Sequence, residues 1–212
     1  MLKKVILYIF SFVLLFTSIG NAKDVFGIGI YMGAQHDVGN LNSYNPYIQI
    51  DPQNNLLLGF ACKVNYLYFF GKTGVETTFL INRGEVEENS DEIEYVKIDY
   101  TSIPIFAGMS FPILSSAEFY MGGGFAYFLG RGEIKSSSSF YEDEIDTTAF
   151  GIGFILGISY IFPSSIRCYF EWKYLDGRSD QISQTQSSYN WQNYYVDFTG
   201  HRIFIGIMYY LI

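Results

Sequence analysis

The chain has 212 residues and a formal net charge of −8. Hydrophobic residues make up 49% and charged residues only 16%. An acidic chain of this kind does not suit a nucleic-acid binder, which presents basic surface to phosphates. Aromatic residues reach 19%, with 19 Tyr, 20 Phe and 21 Gly, a mixture that suits an all-β membrane protein better than an average globular domain.

The N-terminus reads as a secretory signal peptide. Lys3 and Lys4 form a positive n-region, Val5 to Phe16 an apolar core, and Gly20-Asn21-Ala22 a small-residue cleavage site. Cutting before Lys23 leaves 190 residues in one domain, 23–212. It also removes two positive charges, taking the net charge to −10. No Cys at the cut provides for lipid acylation.

The mature chain then breaks into eight strand-like segments. The first, Val25 to Ala34, alternates Phe26, Ile28, Ile30 and Met32 with Gly27, Gly29, Tyr31 and Gly33. A polar loop, 36–54, leads to a second strand, Asn55 to Asn65, with Leu58, Phe60, Cys62 and Val64 opposite Gly59, Ala61, Lys63 and Asn65. The third runs from about Lys72 to Arg83, with Glu76 and Thr78 opposite Val75, Thr77 and Phe79. An acidic loop, Gly84 to Glu94, precedes the fourth, Tyr95 to Phe111. Pro104 inside it cannot donate to a ladder and predicts a bulge or local break.

A short turn leads to the fifth strand, Glu118 to Glu133, followed by a Ser-rich, acidic loop over Ser136 to Asp146. The sixth strand carries the clearest pattern. In Ala149 to Pro163, the residues Phe150, Ile152, Phe154, Leu156, Ile158, Tyr160 and Phe162 share one parity, and Gly151, Gly153, Gly157 and Ser159 lie on the other. Alternate side chains point to opposite faces of a strand, so one face meets an extended apolar solvent and the other packs into something narrow. A transmembrane helix needs about 20 apolar residues and does not fit three glycines in seven positions followed by Pro163. A tight turn at Pro163-Ser164-Ser165 precedes the seventh strand, Ile166 to Leu175. The longest loop, Asp176 to Gly200, is followed by the eighth strand, Arg202 to Ile212, in which both faces are apolar and the register stays open.

Long and short connections alternate through these strands, and the even number lets the last pair with the first. The expected fold is an eight-stranded, antiparallel, up-and-down transmembrane β-barrel with long loops outside and short turns at the periplasmic end. A soluble lipocalin-like barrel is the rival; it needs its large residues inside and its charges on outward strand faces, whereas most charges here fall in loops. By parity Cys62 and Cys168 face lipid on strands that are not neighbours, which predicts two free thiols.

Three segments carry a resemblance: Tyr100-Thr101-Ser102-Ile103-Pro104-Ile105-Phe106-Ala107-Gly108, Glu118-Phe119-Tyr120-Met121-Gly122-Gly123-Gly124, and Glu171-Trp172-Lys173-Tyr174-Leu175-Asp176-Gly177. On these the chain resembles small eight-stranded outer-membrane barrels of the OmpA/OmpX kind, and more closely the outer membrane protein β-barrel domain group that includes PorT-like proteins. The resemblance covers the mature chain. It implies an outer-membrane location, surrounding outer-membrane lipid and passage through the barrel-assembly machinery. The C-terminal signal, Tyr209-Tyr210-Leu211-Ile212, departs from the pattern by ending in Ile where many such barrels end in Phe.

Four sets of residues are candidates for function. Lys63, Glu76, Arg167, Glu171 and Lys173 fall on inward parities, as a salt-bridged lumen plug or, less suitably for so narrow a barrel, an ion path. His36, Asp37 and His201 flank outer loops, where lipid-modifying barrels keep a base and a nucleophile, but their spacing has no signature of acyl transfer or of a metal site. The acidic runs Glu85 to Glu94 and Glu142, Asp143, Glu144, Asp146 lack the spacing of a calcium loop and read as solvated loop surface. Tyr189, Trp191, Tyr194 and Tyr195, among Ser, Gln and Asn, form either a contact surface for an outside partner or an upper aromatic girdle. The expectation is a non-enzymatic surface protein without cofactor or metal. A narrow channel is the alternative and a lipid-modifying enzyme the third reading.

Overall fold

The computed structural model describes residues 26–36, 38, 40–43, 54–81, 84–85, 95–135, 142–179, 182–184 and 194–211. The expected signal segment, 1–22, lies outside them. Among the described residues twelve strands follow one another: β1 (Phe26–His36), β2 (Asn40–Ser43), β3 (Asn54–Tyr66), β4 (Phe69–Ile81), β5 (Gly84–Glu85), β6 (Tyr95–Leu114), β7 (Ala117–Lys135), β8 (Glu142–Ile161), β9 (Ile166–Ser179), β10 (Ile182–Gln184), β11 (Tyr194–Asp197) and β12 (Gly200–Leu211). Eight of them close a barrel in the order β1-β3-β4-β6-β7-β8-β9-β12 and back to β1, every pair antiparallel. Closure is by β1 against β12, from Phe26↔Leu211 to Gln35↔Arg202. Every long strand is therefore paired on both sides, and the edge problem of an open sheet is absent.

The alternation of large and small residues becomes the alternation of outside and inside. Ile30, Ile152 and Ile205 on the outward parity are 64%, 63% and 61% exposed, while Tyr31, Gly151 and Gly206 beside them are buried. An apolar surface of this extent around a closed barrel is the face a bilayer covers. The register of the last strand is settled the same way. Ile203, Ile205, Ile207, Tyr209 and Leu211 point out, and Phe204, Met208 and Tyr210 are buried.

The glycines have a structural reason. Tyr31 lies opposite Gly59, Tyr120 opposite Gly157, and Tyr169 opposite Gly206. A Cβ on any of these three glycines would sit 2.2–2.6 Å from the facing ring. Three tyrosines thus lie across the lumen over bare backbone, which fills a barrel too narrow for a large residue at every inward position.

Pro104 breaks the ladder on one side only. Pairing with β7 runs on through Pro104↔Ala126. Pairing with β4 stops at Thr73↔Ile105 and resumes in the same register at Glu76↔Ser102. The missing N–H is thus absorbed as a local break without a bulge. The register shifts that do occur are at Leu56/Leu57 and Pro112/Leu114.

β8 begins at Glu142, inside the expected loop, and β9 runs on to Ser179, past the expected end at Leu175, while β6 and β7 keep close to their expected bounds. β6, β7 and β8 have 20, 19 and 20 residues against 11 for β1, where about 9–11 cross a bilayer. Their extra length lies at the end away from the short turns. There the outward side chains change from Leu129 and Phe150 to Arg131, Glu144 and Asp146, all exposed. The acidic stretch Glu142 to Asp146 is therefore strand, not loop. Arg131 lies across from it, with Nη2 3.2 Å from Glu144 and Nε 3.9 Å from Asp146. Such charges on outward strand faces also correct the expectation that they cluster in loops. Hydrogen bonds to a neighbouring strand hold this wall up outside the membrane, and the short strands of the outer loops dock on it: β10 on β8, β5 on β6, and β11 on both β9 and β2.

Candidate functional site

The inward faces bring ionisable side chains together in the part of the lumen toward the short turns. All five sequence candidates are there, each buried: Lys63, Glu76, Arg167, Glu171 and Lys173. The sequence reading missed three companions, Lys72, Glu118 and Arg202. Strand parity marks Lys72 and Glu118 as inward, since Lys72 is four residues before Glu76 and Glu118 two before Tyr120; Arg202, two before Phe204, follows only once the register of the last strand is known.

Glu171, on β9, binds the Lys72 ammonium, lies 3.0 Å from Lys173 Nζ and accepts a hydrogen bond from Tyr120 OH at 2.7 Å. Glu76, on β4, binds the Lys173 ammonium and accepts from Tyr31 OH at 3.0 Å and Ser102 Oγ at 3.2 Å. Nearer the short turns, Glu118 takes Lys63 Nζ at 2.8 Å and Arg167 Nη1 at 2.5 Å. Aromatic faces take up the other sides of the cations: Tyr120 under Lys63, Tyr169 under Lys72, Phe204 under Lys173 and Tyr210 under Arg167, each 4.2–4.3 Å from the ring centre. Charges out of water persist only when paired and hydrogen-bonded in this way. Ion pairs, hydrogen bonds and ring contacts of this network join β1, β3, β4, β6, β7, β9 and β12 across the lumen, so it ties most walls of the barrel to one another.

Above it the lumen becomes apolar. Arg202 donates from Nε to Gln35 Oε1 at 3.3 Å and from Nη2 to the Phe198 carbonyl at 3.1 Å. The Phe198 ring stacks on Phe128 at 4.8 Å and meets Tyr100 edge-on at 5.4 Å. Ile98, Ile145, Val38 and Val196 complete a fully buried cap. Val38 is held by its carbonyl, which accepts from Asn55 Nδ2 at 3.4 Å. Below the cap, the cavity among the charged groups is only about 10 Å³, room for about one water.

The remaining candidates are not gathered into this site. His201 lies in β12, not at a loop end, and points outward. Its ring stacks on Trp172 at 5.3 Å and lies 5.1 Å from Tyr174, a small aromatic belt near the outer side of the apolar band. His36 ends β1, while Asp37 lies outside the described residues. Glu85 pairs through its backbone with Tyr95; residues 86–94, Tyr189 and Trp191 also lie outside. Tyr194 pairs with Ser43, and Tyr195 lies under the Arg178 guanidinium at 3.7 Å. Cys62 and Cys168 are free thiols on the outward parity. Among the described residues no three His, Cys, Asp or Glu side chains are placed to hold a metal ion.

The profile of a family described as "Outer membrane protein beta-barrel domain" matches residues 10–209. No curated protein matches the chain. Among solved structures, the outer membrane protein OprG from Pseudomonas aeruginosa superposes with a TM-score of 0.64 at 14% identity, over 89% of this chain and 97% of that one. Neisserial surface protein A gives 0.50 at 12% identity, over 91% and 100%. The outer membrane protein AlkL, solved in lipid bilayers, gives 0.50 at 13% identity, over 91% and 93%. Identities this low speak for the fold alone.

Proposed function

Because the chain belongs to the outer membrane protein β-barrel domain family, and so sits in the bacterial outer membrane, we propose that it acts as a non-enzymatic anchor that displays its outer loops. The observation that carries this reading is the blocked lumen. The charged network fills the lower part and the Phe198–Phe128–Tyr100 cap closes the top. Ions find no continuous water column, so the interior spends its chemistry on rigidity. The outside has the structure that display needs: a strand wall rising beyond the apolar band, with loop strands β2, β10 and β11 seated on it. Recognition by mobile segments on a rigid scaffold is a common division of labour. The segment that runs from β10 into β11, with Tyr189, Trp191, Tyr194 and Tyr195, is the contact surface in this account.

The test is made on intact cells. An epitope inserted between residues 185 and 193 is expected to bind a non-permeant antibody, and replacing the four aromatics with Ala is expected to lower adhesion of expressing cells to immobilised protein ligands without changing barrel abundance. An epitope reached only after permeabilisation sinks the display reading.

A further inference from the structure

The described residues of the lumen carry more positive than negative charge. Among the described residues, five cations point inward (Lys63, Lys72, Arg167, Lys173 and Arg202) against three carboxylates, Glu76, Glu118 and Glu171. Arg202 is held high in the barrel by neutral oxygens of Gln35 and Phe198. Among the described residues the lower network is thus four cations on three carboxylates, one more positive than negative charge in a region from which water is nearly excluded. Such an excess is costly at low dielectric unless something neutralises it.

The cavity of about 10 Å³ lies within this network, at the end near the short turns. Lys63, Lys72 and Arg167 line it, and no carboxylate does. Two further lining groups are hydroxyls without hydrogen-bond partners, Ser159 Oγ and Tyr169 OH. Their residues are 3% and 5% exposed, so bulk water does not serve them. Both can donate. Three cations and two idle donors around a space for one small particle make a site of one sign.

We infer that this cavity is a halide site, holding one chloride between Ser159, Tyr169 and the ammonium and guanidinium groups of Lys63, Lys72 and Arg167. A water there would satisfy the hydroxyls and leave the charge excess. A monovalent monatomic anion does both, bringing the lower network to neutrality. A polyatomic anion such as phosphate or gluconate is too large for the space. The ion enters from the periplasmic end, past Glu118 and Arg167, whose side chains are 12% and 8% exposed. It is a resident counter-ion that completes the network, not a permeating one, because the cap closes the other end.

The test is diffraction from crystals of the refolded barrel grown with sodium bromide in place of chloride, using the anomalous signal of bromine. An anomalous peak within hydrogen-bonding reach of Ser159 Oγ and Tyr169 OH is the expected result; an ordered water without anomalous signal, or an empty space, overturns the inference. A solution measurement reads the same site. The melting temperature, followed by the gel-mobility shift of unheated barrel, is expected to be higher in sodium chloride or bromide than in sodium gluconate at equal ionic strength. The double variant Ser159→Ala/Tyr169→Phe, which keeps both side-chain shapes nearly unchanged, is expected to lose that difference and the bromide peak. Equal melting of the parent protein in the three salts counts against it.

Discussion

Substituting Glu171 by Gln isolates the worth of the lumen network, because Gln keeps the volume and removes the charge. Glu171 is fully buried and serves three partners: Lys72, Lys173 at 3.0 Å and Tyr120 OH at 2.7 Å. The amide oxygen of Gln still accepts from Tyr120 or one ammonium. Lys173 retains Glu76. Lys72 is left without a carboxylate. Removing one partner of a buried pair costs about 3–5 kcal/mol, and the retained acceptor puts E171Q near the lower end, about 3 kcal/mol. Removing both ends is milder, since a buried pair replaced by neutral groups of similar volume is often close to neutral; K72M/E171Q is expected to recover about half of the loss or more. Reversible urea unfolding in lipid vesicles, followed by tryptophan fluorescence, measures both variants. If E171Q unfolds within about 0.5 kcal/mol of the parent, the size of a neutral surface change, the network does not hold the walls together as argued.

Three other outcomes follow from separate parts of the structure. Gly157→Val drives a side chain into the Tyr120 ring, whose nearest atom would be 2.2 Å from the new Cβ; the overpacking is expected to cost about 1–3 kcal/mol and to slow refolding into vesicles on a gel-shift time course. Ile152→Arg, at an outward position 63% exposed, places a charge in the apolar band and is expected to cost about 2–4 kcal/mol if near the bilayer midplane, whereas Asp146→Arg, on the same strand above the band, is expected to cost at most about 1 kcal/mol, the loss of an exposed ion pair and a like charge opposite Arg131. Cys62 and Cys168 are expected to react with a lipid-soluble maleimide and to give the same gel mobility with and without reductant; a shift on reduction contradicts two free thiols.

Much of this architecture is written in strand parity. In Ala149 to Pro163 the contrast between Phe, Ile and Tyr on one side and Gly and Ser on the other is large, because lipid and a narrow lumen make opposite demands on successive residues. The same parity puts Lys63, Glu76, Arg167, Glu171 and Lys173 inside. Lys72 escapes attention because it stands first in its expected strand, next to the connection ending at Gly71, although the strand begins at Phe69. Glu118 likewise stands first in its expected strand, directly after the turn ending at Ala117. Arg202 begins a strand whose two faces are equally apolar. The upper end of β8 is illegible for a different reason, whereas those of β6 and β7 were read close to their observed bounds. Above the bilayer the outward face is charged and water-covered, so Glu142 to Asp146 has the composition of a loop while tertiary pairing makes it strand. The partners of Glu76, Glu118 and Glu171 could not be read at all, since contacts across a barrel depend on register and stagger around its full circumference.

The most direct test of a blocked, load-carrying anchor is single-channel recording from the purified barrel in a planar bilayer under concentrated potassium chloride. The account predicts a current trace indistinguishable from protein-free lipid, both for the parent and for Phe198→Ala, which opens the cap and leaves the charged network in place. Discrete, reproducible conductance steps from the parent protein would contradict it and would identify the lumen as a path for ions.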